Sequence, residues 1–236
     1  MNSQRKSDAL SAWVEQAFGY VFIQPALCHA AMTHRSAGAE HNERLEFLGD
    51  SLLNCSVARL LYDAHPLADE GALSRLRATL VSGETLAQIA GELGVGEHLR
   101  LGSGELKTGG FRRASILADA LEALLGAIFL DSGFDAAAAV VAKIMGPRMA
   151  DLPAADALKD PKTRLQEALQ ARGLALPVYT LTAATGDPHM QSFTVTCQVP
   201  VLGMSAVGEG ASRRRGEQLA AAKLLDLLPP EMRKSP

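Results

Sequence analysis

Glu43, Glu46 and Asp50 stand at i, i+3 and i+7 of one segment, which on an α-helix places three carboxylates within an arc of roughly 60°. Leu45, Leu48 and Leu52 fall on the opposite side, so the acidic edge borders packed apolar surface instead of standing free in water. Three adjacent anions repel one another, and a fold keeps such an arrangement when a cation occupies it. A second pair, Asp119 and Glu122, lies at i, i+3 in the run 116–130. That run is apolar nearly all round and so predicts a buried helix whose only charges are those two carboxylates. Burying unpaired carboxylates is costly and favours their protonation, so the pair calls for a metal, a cationic partner or a water-filled cleft. Two helices that each present hard oxygen ligands suit Mg²⁺, for which Mn²⁺ can substitute.

The residues that raise this chemistry also carry a resemblance. The segment 43–51, Glu-Arg-Leu-Glu-Phe-Leu-Gly-Asp-Ser, resembles the signature motif of the ribonuclease III family, and 117–123, Leu-Ala-Asp-Ala-Leu-Glu-Ala, resembles its second acidic motif. Between them, Asp69-Glu70-Gly71 with the segment 74–81, Leu101-Gly102-Ser103-Gly104-Glu105 and Gly109-Gly110-Phe111-Arg112-Arg113 fit the family in order and spacing. The resemblance covers nearly the whole chain.

The elements that must position these groups divide at a short stretch of small and polar residues, 151–156. Before it, apolar residues recur at spacings of three and four and predict an all-helical domain. After it, Asp160 and Pro161 form an N-cap and N1 pair opening a helix that runs to about Arg172 and stops at Gly173. The segments 178–183, 192–199 and 204–209 read as three strands, and a last helix begins after Ser212 and ends before Pro229. The α-β-β-β-α order resembles a double-stranded RNA-binding domain. The expected organisation is a ribonuclease III catalytic domain over 1–152, a linker over 153–158, a double-stranded RNA-binding domain over 159–228 and a C-terminal tail over 229–236, a multidomain α and α+β chain.

Composition agrees. The 236 residues, 47% of them hydrophobic, suffice for one or two cored domains. Cys28, Cys55 and Cys197 are scattered without CxxC spacing and read as reduced packing residues. The polar N-terminus and the lack of an apolar run approaching about 18 residues point away from export or a membrane span and toward the cytoplasm. The net charge of −3 hides an asymmetry: 13 basic against 18 acidic residues before Pro153, and 10 against 8 from Pro153 onward. The acidic half suits cation binding, and the basic half suits phosphate.

Arg213, Arg214 and Arg215 occupy the first turn of the last helix, beside the positive end of its dipole, where cations are disfavoured. A locally unfavourable placement suggests function: guanidiniums together with free backbone N–H groups make a phosphate site. By resemblance, Thr163, Gln166 and Gln170 form the face that reaches the minor groove and His189 belongs to a loop entering the next one, a shape-reading mode that spans about 16 base pairs of A-form duplex. Gly216 and Leu219 stand where the family usually has alanine, and a mid-helix glycine costs about 1 kcal/mol.

The resemblance implies an endoribonuclease that hydrolyses double-stranded RNA, leaving 5′-phosphate and 3′-hydroxyl ends with short 3′ overhangs, in processing rRNA and other structured RNAs. Glu46, Asp119 and Glu122 would ligate Mg²⁺, Asp50 and Glu122 would be catalytic, and Glu43 and Glu70 would be supporting acids, Glu70 near the partner's site. Phe47 lies about 40° from Glu43 on the helical wheel, away from the leucine face, and matches the family position that packs into the partner of a homodimer. A di-iron bundle would need Glu-x-x-His, and none of the six histidines has glutamate three residues before it. A non-catalytic RNA binder would leave Asp50, Asp119 and Glu122 unexplained. A helical nucleotide hydrolase is separated by assaying duplex RNA against free nucleotides.

Overall fold

Gly49 and Gly126 explain how the two acidic helices come together. In the computed structural model, which describes residues 2–152, 159–186 and 190–232, Gly49 lies on α3 (Glu43–Ala64) and Gly126 on α8 (Ala114–Ala150). A Cβ built on Gly49 would fall 1.8 Å from the Glu122 carbonyl oxygen, and one on Gly126 would fall 2.2 Å from the Leu45 carbonyl oxygen. The two backbones therefore touch where neither residue has a side chain. Around this contact α3 buries Leu45, Leu52, Leu53, Val57 and Leu61, while α8 buries Leu121, Leu124, Leu125 and Ile128. Each fully buried leucine contributes about 1.5–3 kcal/mol.

The helices α1 (Asn2–Phe18), α2 (Pro25–Ala31), α4 (Glu70–Leu80), α5 (Gly83–Glu92), α6 (Val95–His98) and α7 (Ser103–Lys107) surround this pair. Asp69 caps α4 by accepting from Ala72 N, and Ser82 caps α5 by accepting from Thr85 N. Trp13 ties α1 to the body by donating from Nε1 to the Leu93 carbonyl at 2.8 Å. Asp131 accepts from Tyr20 OH and from the backbone N–H groups of Ile23 and Gln24 at 2.6–2.8 Å, fixing the chain that enters α2. Gly133, with φ of 82°, interrupts helical geometry within α8. α8 is also long and apolar enough to cross a membrane, which scanning for an uninterrupted apolar run did not register. Its Ile116, Leu117, Leu121, Leu124, Leu125, Ile128, Val141 and Ile144 are buried in the core of this domain, while Leu130 and Phe134 stay exposed.

The chain resolves into two compact units, 1–155 and 156–236. In the second, α9 (Pro161–Gln170) precedes the antiparallel sheet β1 (Val178–Thr185), β2 (Ser192–Val199), β3 (Met204–Gly210), followed by α10 (Arg213–Leu227). Asp160 accepts from Lys162 N as the cap of α9, and Ser212 from Arg215 N as the cap of α10. The first helix closes two residues before the expected Arg172. Leu165, Leu169, Cys197, Val199, Ala221, Leu224 and Leu225 make the core. A Cβ on Gly216 would lie 2.9 Å from the Phe193 carbonyl oxygen, and one on Gly208 only 2.3 Å from the Gly216 carbonyl oxygen. Gly216, read from sequence as a cost to the helix, thus lets α10 settle against the sheet. The expected linker 153–158 lies outside the described residues.

Candidate active site and RNA-binding surface

α3 and α8 bring Glu46, Asp119 and Glu122 together: one carboxylate oxygen from each lies within 4.8 Å of the others. All three are partly buried, a consequence of the close approach of the two helices. Burial first, then the charges of Asp50, Glu46 and Asp119, pushes the Glu122 carboxyl up to about 7. Glu46 is raised by burial and by Asp119, Glu43 and Asp50; Asp119 is raised mainly by burial, against lowering by His34 and Arg35. Three carboxylates driven toward protonation form a hard oxygen site with unmet negative charge, which is the donor set a small divalent cation requires. The fit to such an ion is therefore good on geometry and on charge.

Asp50 is exposed at the edge of this trio, and Asn54 Nδ2 donates to its Oδ1 at 2.8 Å, one helical turn further on. Sequence reasoning missed Asn54; the i, i+4 spacing carried the signal. Glu43 does have partners: Arg35 Nη1 at 3.1 Å and His41 Nδ1 at 3.7 Å. Glu70 begins α4, exposed, and accepts from Ser74 Oγ at 3.0 Å. It is not one of the trio. Beside the trio a cleft of about 440 Å³ is lined by His34, Arg35, Asn42, Glu43, Glu46, Glu105, Arg113 and Asp119 among others, with Arg113 paired to Glu105 at 2.8 Å. Phe47 is 77% exposed and borders an apolar groove of about 970 Å³ that includes Leu27, Leu45, Leu48 and Leu130.

In the second unit, Thr163, Gln166 and Gln170 all lie exposed on α9, as their i, i+3, i+7 spacing requires. Arg213, Arg214 and Arg215 are exposed on the first turn of α10. Arg213 differs from its neighbours in pairing with Glu217, a contact that sequence reasoning overlooked although the i, i+4 spacing was visible. His189 lies outside the described residues.

A helical domain with a carboxylate cluster between its two central helices, in one chain with an α-β-β-β-α domain whose second helix opens on arginines, defines a nuclease with a double-stranded RNA-binding module. Residues 24–148 match the family described as Ribonuclease-III-like, and 161–228 match the double-stranded RNA binding motif. The chain is 59% identical over 212 residues to Ribonuclease 3 of Thiobacillus denitrificans, covering 90% of this chain and 94% of that protein, and 54% identical to Ribonuclease 3 of Methylococcus capsulatus, covering 91% and 94%. It is similar to the nuclease domain of ribonuclease III from Campylobacter jejuni, with a TM-score of 0.56, 39% identity and coverage of 57% of this chain and 95% of that one. The chain belongs to the ribonuclease III family, as a double-stranded RNA endoribonuclease.

Proposed function

We propose that this protein hydrolyses phosphodiester bonds in double-stranded RNA with Mg²⁺, for which Mn²⁺ substitutes, leaving 5′-phosphate and 3′-hydroxyl ends, and that it does so in the cytoplasm in processing rRNA and other structured RNAs. The observation that carries this reading is the convergence of Glu46, Asp119 and Glu122 oxygens within 4.8 Å, a set that would hold the cation. When bound, such an ion makes water more acidic and offsets charge on the phosphate. Asp50, steadied by Asn54, orients the attacking water. Water oxygen bonds to phosphorus as the bond to the 3′-oxygen breaks, so the 3′-hydroxyl and 5′-phosphate appear together. Glu43, held by Arg35, and Glu70 support the site at longer range. End analysis tests the chemistry: products should accept ligation at a 5′-phosphate, and 5′-hydroxyl products would refute it.

The domains proposed for this division of labour are 1–152 for catalysis and 159–228 for duplex binding, joined by 153–158 and followed by a tail from 229. Thr163, Gln166, Gln170 and His189 reach the minor grooves, and the arginine-bearing first turn of α10 reaches phosphates. Replacing Arg213, Arg214 and Arg215 together by alanine is expected to weaken all duplexes about equally and to flatten log K against log salt, since phosphate contacts act through counterion release. An unchanged slope would remove the triplet from the interface.

A homodimer completes the proposal. Phe47, exposed beside the apolar groove, would enter the groove of a second copy under two-fold symmetry, and two sites would then cut two strands. Phe47→Asp would force a charge into that contact and is expected to shift the protein to monomer in sedimentation at low micromolar concentration. Persistence of the dimer would exclude Phe47 as the anchor.

A further inference from the structure

The three arginines of α10 are not equivalent. Arg213 Nε donates to Glu217 Oε1 at 3.0 Å, and the other oxygen of Glu217 accepts from Lys162 Nζ at 2.5 Å. Glu217 is largely buried, its side chain only 13% exposed, and the two cations hold its carboxyl below the usual range, Lys162 most strongly. Lys162 also sits over the Tyr179 ring, 4.7 Å from its centroid. A neighbouring bond from Gln218 Nε2 to Asp160 Oδ2, 2.7 Å, again joins α10 to the start of α9. Arg214 and Arg215 are exposed on the same turn. The stem of Arg215 lies over Gly210, where a Cβ would come within 2.7 Å of its Cβ and Cγ. Its aliphatic part is thereby steadied while its charge faces outward.

We propose that Glu217 divides the labour of the triplet: Arg214 and Arg215 carry the counterion-releasing phosphate contacts, while Arg213 is a positioning residue that, through Glu217 and Lys162, fixes the start of α10 against α9. Lys162, Arg213 and Glu217 together carry one net positive charge, so the carboxylate removes from the binding face a charge that the sequence alone counts as available. Glu217 thereby limits duplex affinity. The inference rests on the reading of α10 as a phosphate-binding end, and the two can fail separately.

The test is the salt dependence of binding of the full-length protein to one duplex RNA. Arg214→Ala and Arg215→Ala are each expected to lower the slope of log K against log salt by about one, the value for one lost phosphate contact. Arg213→Ala is expected to leave the slope near that of the wild type. Glu217→Gln is expected to steepen the slope by about one and tighten binding, and adding Arg213→Ala to it should return the slope to the wild-type value. A slope lowered equally by all three arginine changes would overturn the division while leaving α10 as the RNA contact. A slope lowered by none would overturn both. A slope that stays steep in the double variant would assign the restrained charge to Lys162 and overturn the role given to Arg213. Thermal unfolding gives a second readout: Arg213→Ala, which loses the tie to Glu217, is expected to melt below the wild type, and Arg214→Ala and Arg215→Ala to melt with the wild type. All salt slopes are measured at a temperature where every variant is folded. Wild-type melting of Arg213→Ala would overturn its positioning role.

Discussion

Glu122→Gln is expected to cut RNA about 10³-fold more slowly than the wild type, the rate equivalent of about 4 kcal/mol of lost transition-state stabilisation, while binding duplex RNA almost as tightly. Glutamine keeps the shape and an oxygen at the position but removes charge from the trio that would hold the cation. On the proposed division of labour, affinity resides mainly in the other domain, so filter binding should hardly change. The same substitution should stabilise the protein in the absence of divalent ions. Burial and the charges of Asp50, Glu46 and Asp119 raise the Glu122 carboxyl to about 7, above its ordinary value of about 4.5. A raised carboxyl contributes stability that is present in full below the ordinary value and is lost as pH rises through the raised one. At pH 8 the wild type therefore carries a penalty that glutamine lacks, about 1–2 kcal/mol after allowance for solvent screening. The gap in melting temperature should close toward pH 5. Added Mg²⁺ should raise the melting temperature of the wild type at pH 8 more than that of the variant. A variant that still cut at the wild-type rate would make Glu122 a structural carboxylate.

Gly49→Ala is expected to have the largest structural effect of any single methyl added to the nuclease domain. The new Cβ would overlap the Glu122 carbonyl oxygen, 1.8 Å away, and lie 2.5 Å from its carbon. No flexible side chain can yield there, so α3 and α8 must move apart. Overpacking of this kind costs about 3 kcal/mol or more, seen as a lower melting temperature. Glu46 and Asp50 would also move away from Asp119 and Glu122, and a displacement of about 1 Å at a reacting centre can cost about 10²-fold in rate. Thermal unfolding and single-turnover cleavage at a temperature where the variant stays folded separate the two effects. Wild-type melting and cutting by the alanine variant would show that this glycine contact does not hold the carboxylates in place.

Much of the site could be read from spacing. Glu43, Glu46 and Asp50 recur at helical intervals beside a leucine face, and Asp119 and Glu122 interrupt an otherwise apolar run. Helical periodicity alone therefore assigned them to two helices, and the resemblance to the ribonuclease III family implied that Glu46, Asp119 and Glu122 share one metal site. The α-β-β-β-α order was legible for a similar reason: Asp160 and Ser212 mark helix starts, and β-branched residues mark strands. What periodicity did not reveal was which backbones touch. A glycine inside a helix reads as a loss of stability, and only the facing atoms show that Gly49, Gly126 and Gly216 permit close packing. The pairs Asn54 with Asp50 and Arg213 with Glu217 were visible as i, i+4 neighbours. Many such spacings occur on any helix, and the rotamers that select the real ones depend on the surrounding packing. Arg35 and Glu43 lie in different segments, and no local rule joins them.

Single-turnover incubation of one end-labelled duplex RNA with the full-length protein, in Mg²⁺, in Ca²⁺ and in chelator, with a filter-binding isotherm for each condition, tests most directly that the carboxylate trio supports metal-dependent hydrolysis. Ca²⁺ has longer bonds and looser coordination than Mg²⁺, so binding is expected in all three conditions and rapid cleavage only in Mg²⁺. Cleavage that continued at the same rate in chelator, or a duplex bound in Mg²⁺ but never cut, would contradict it.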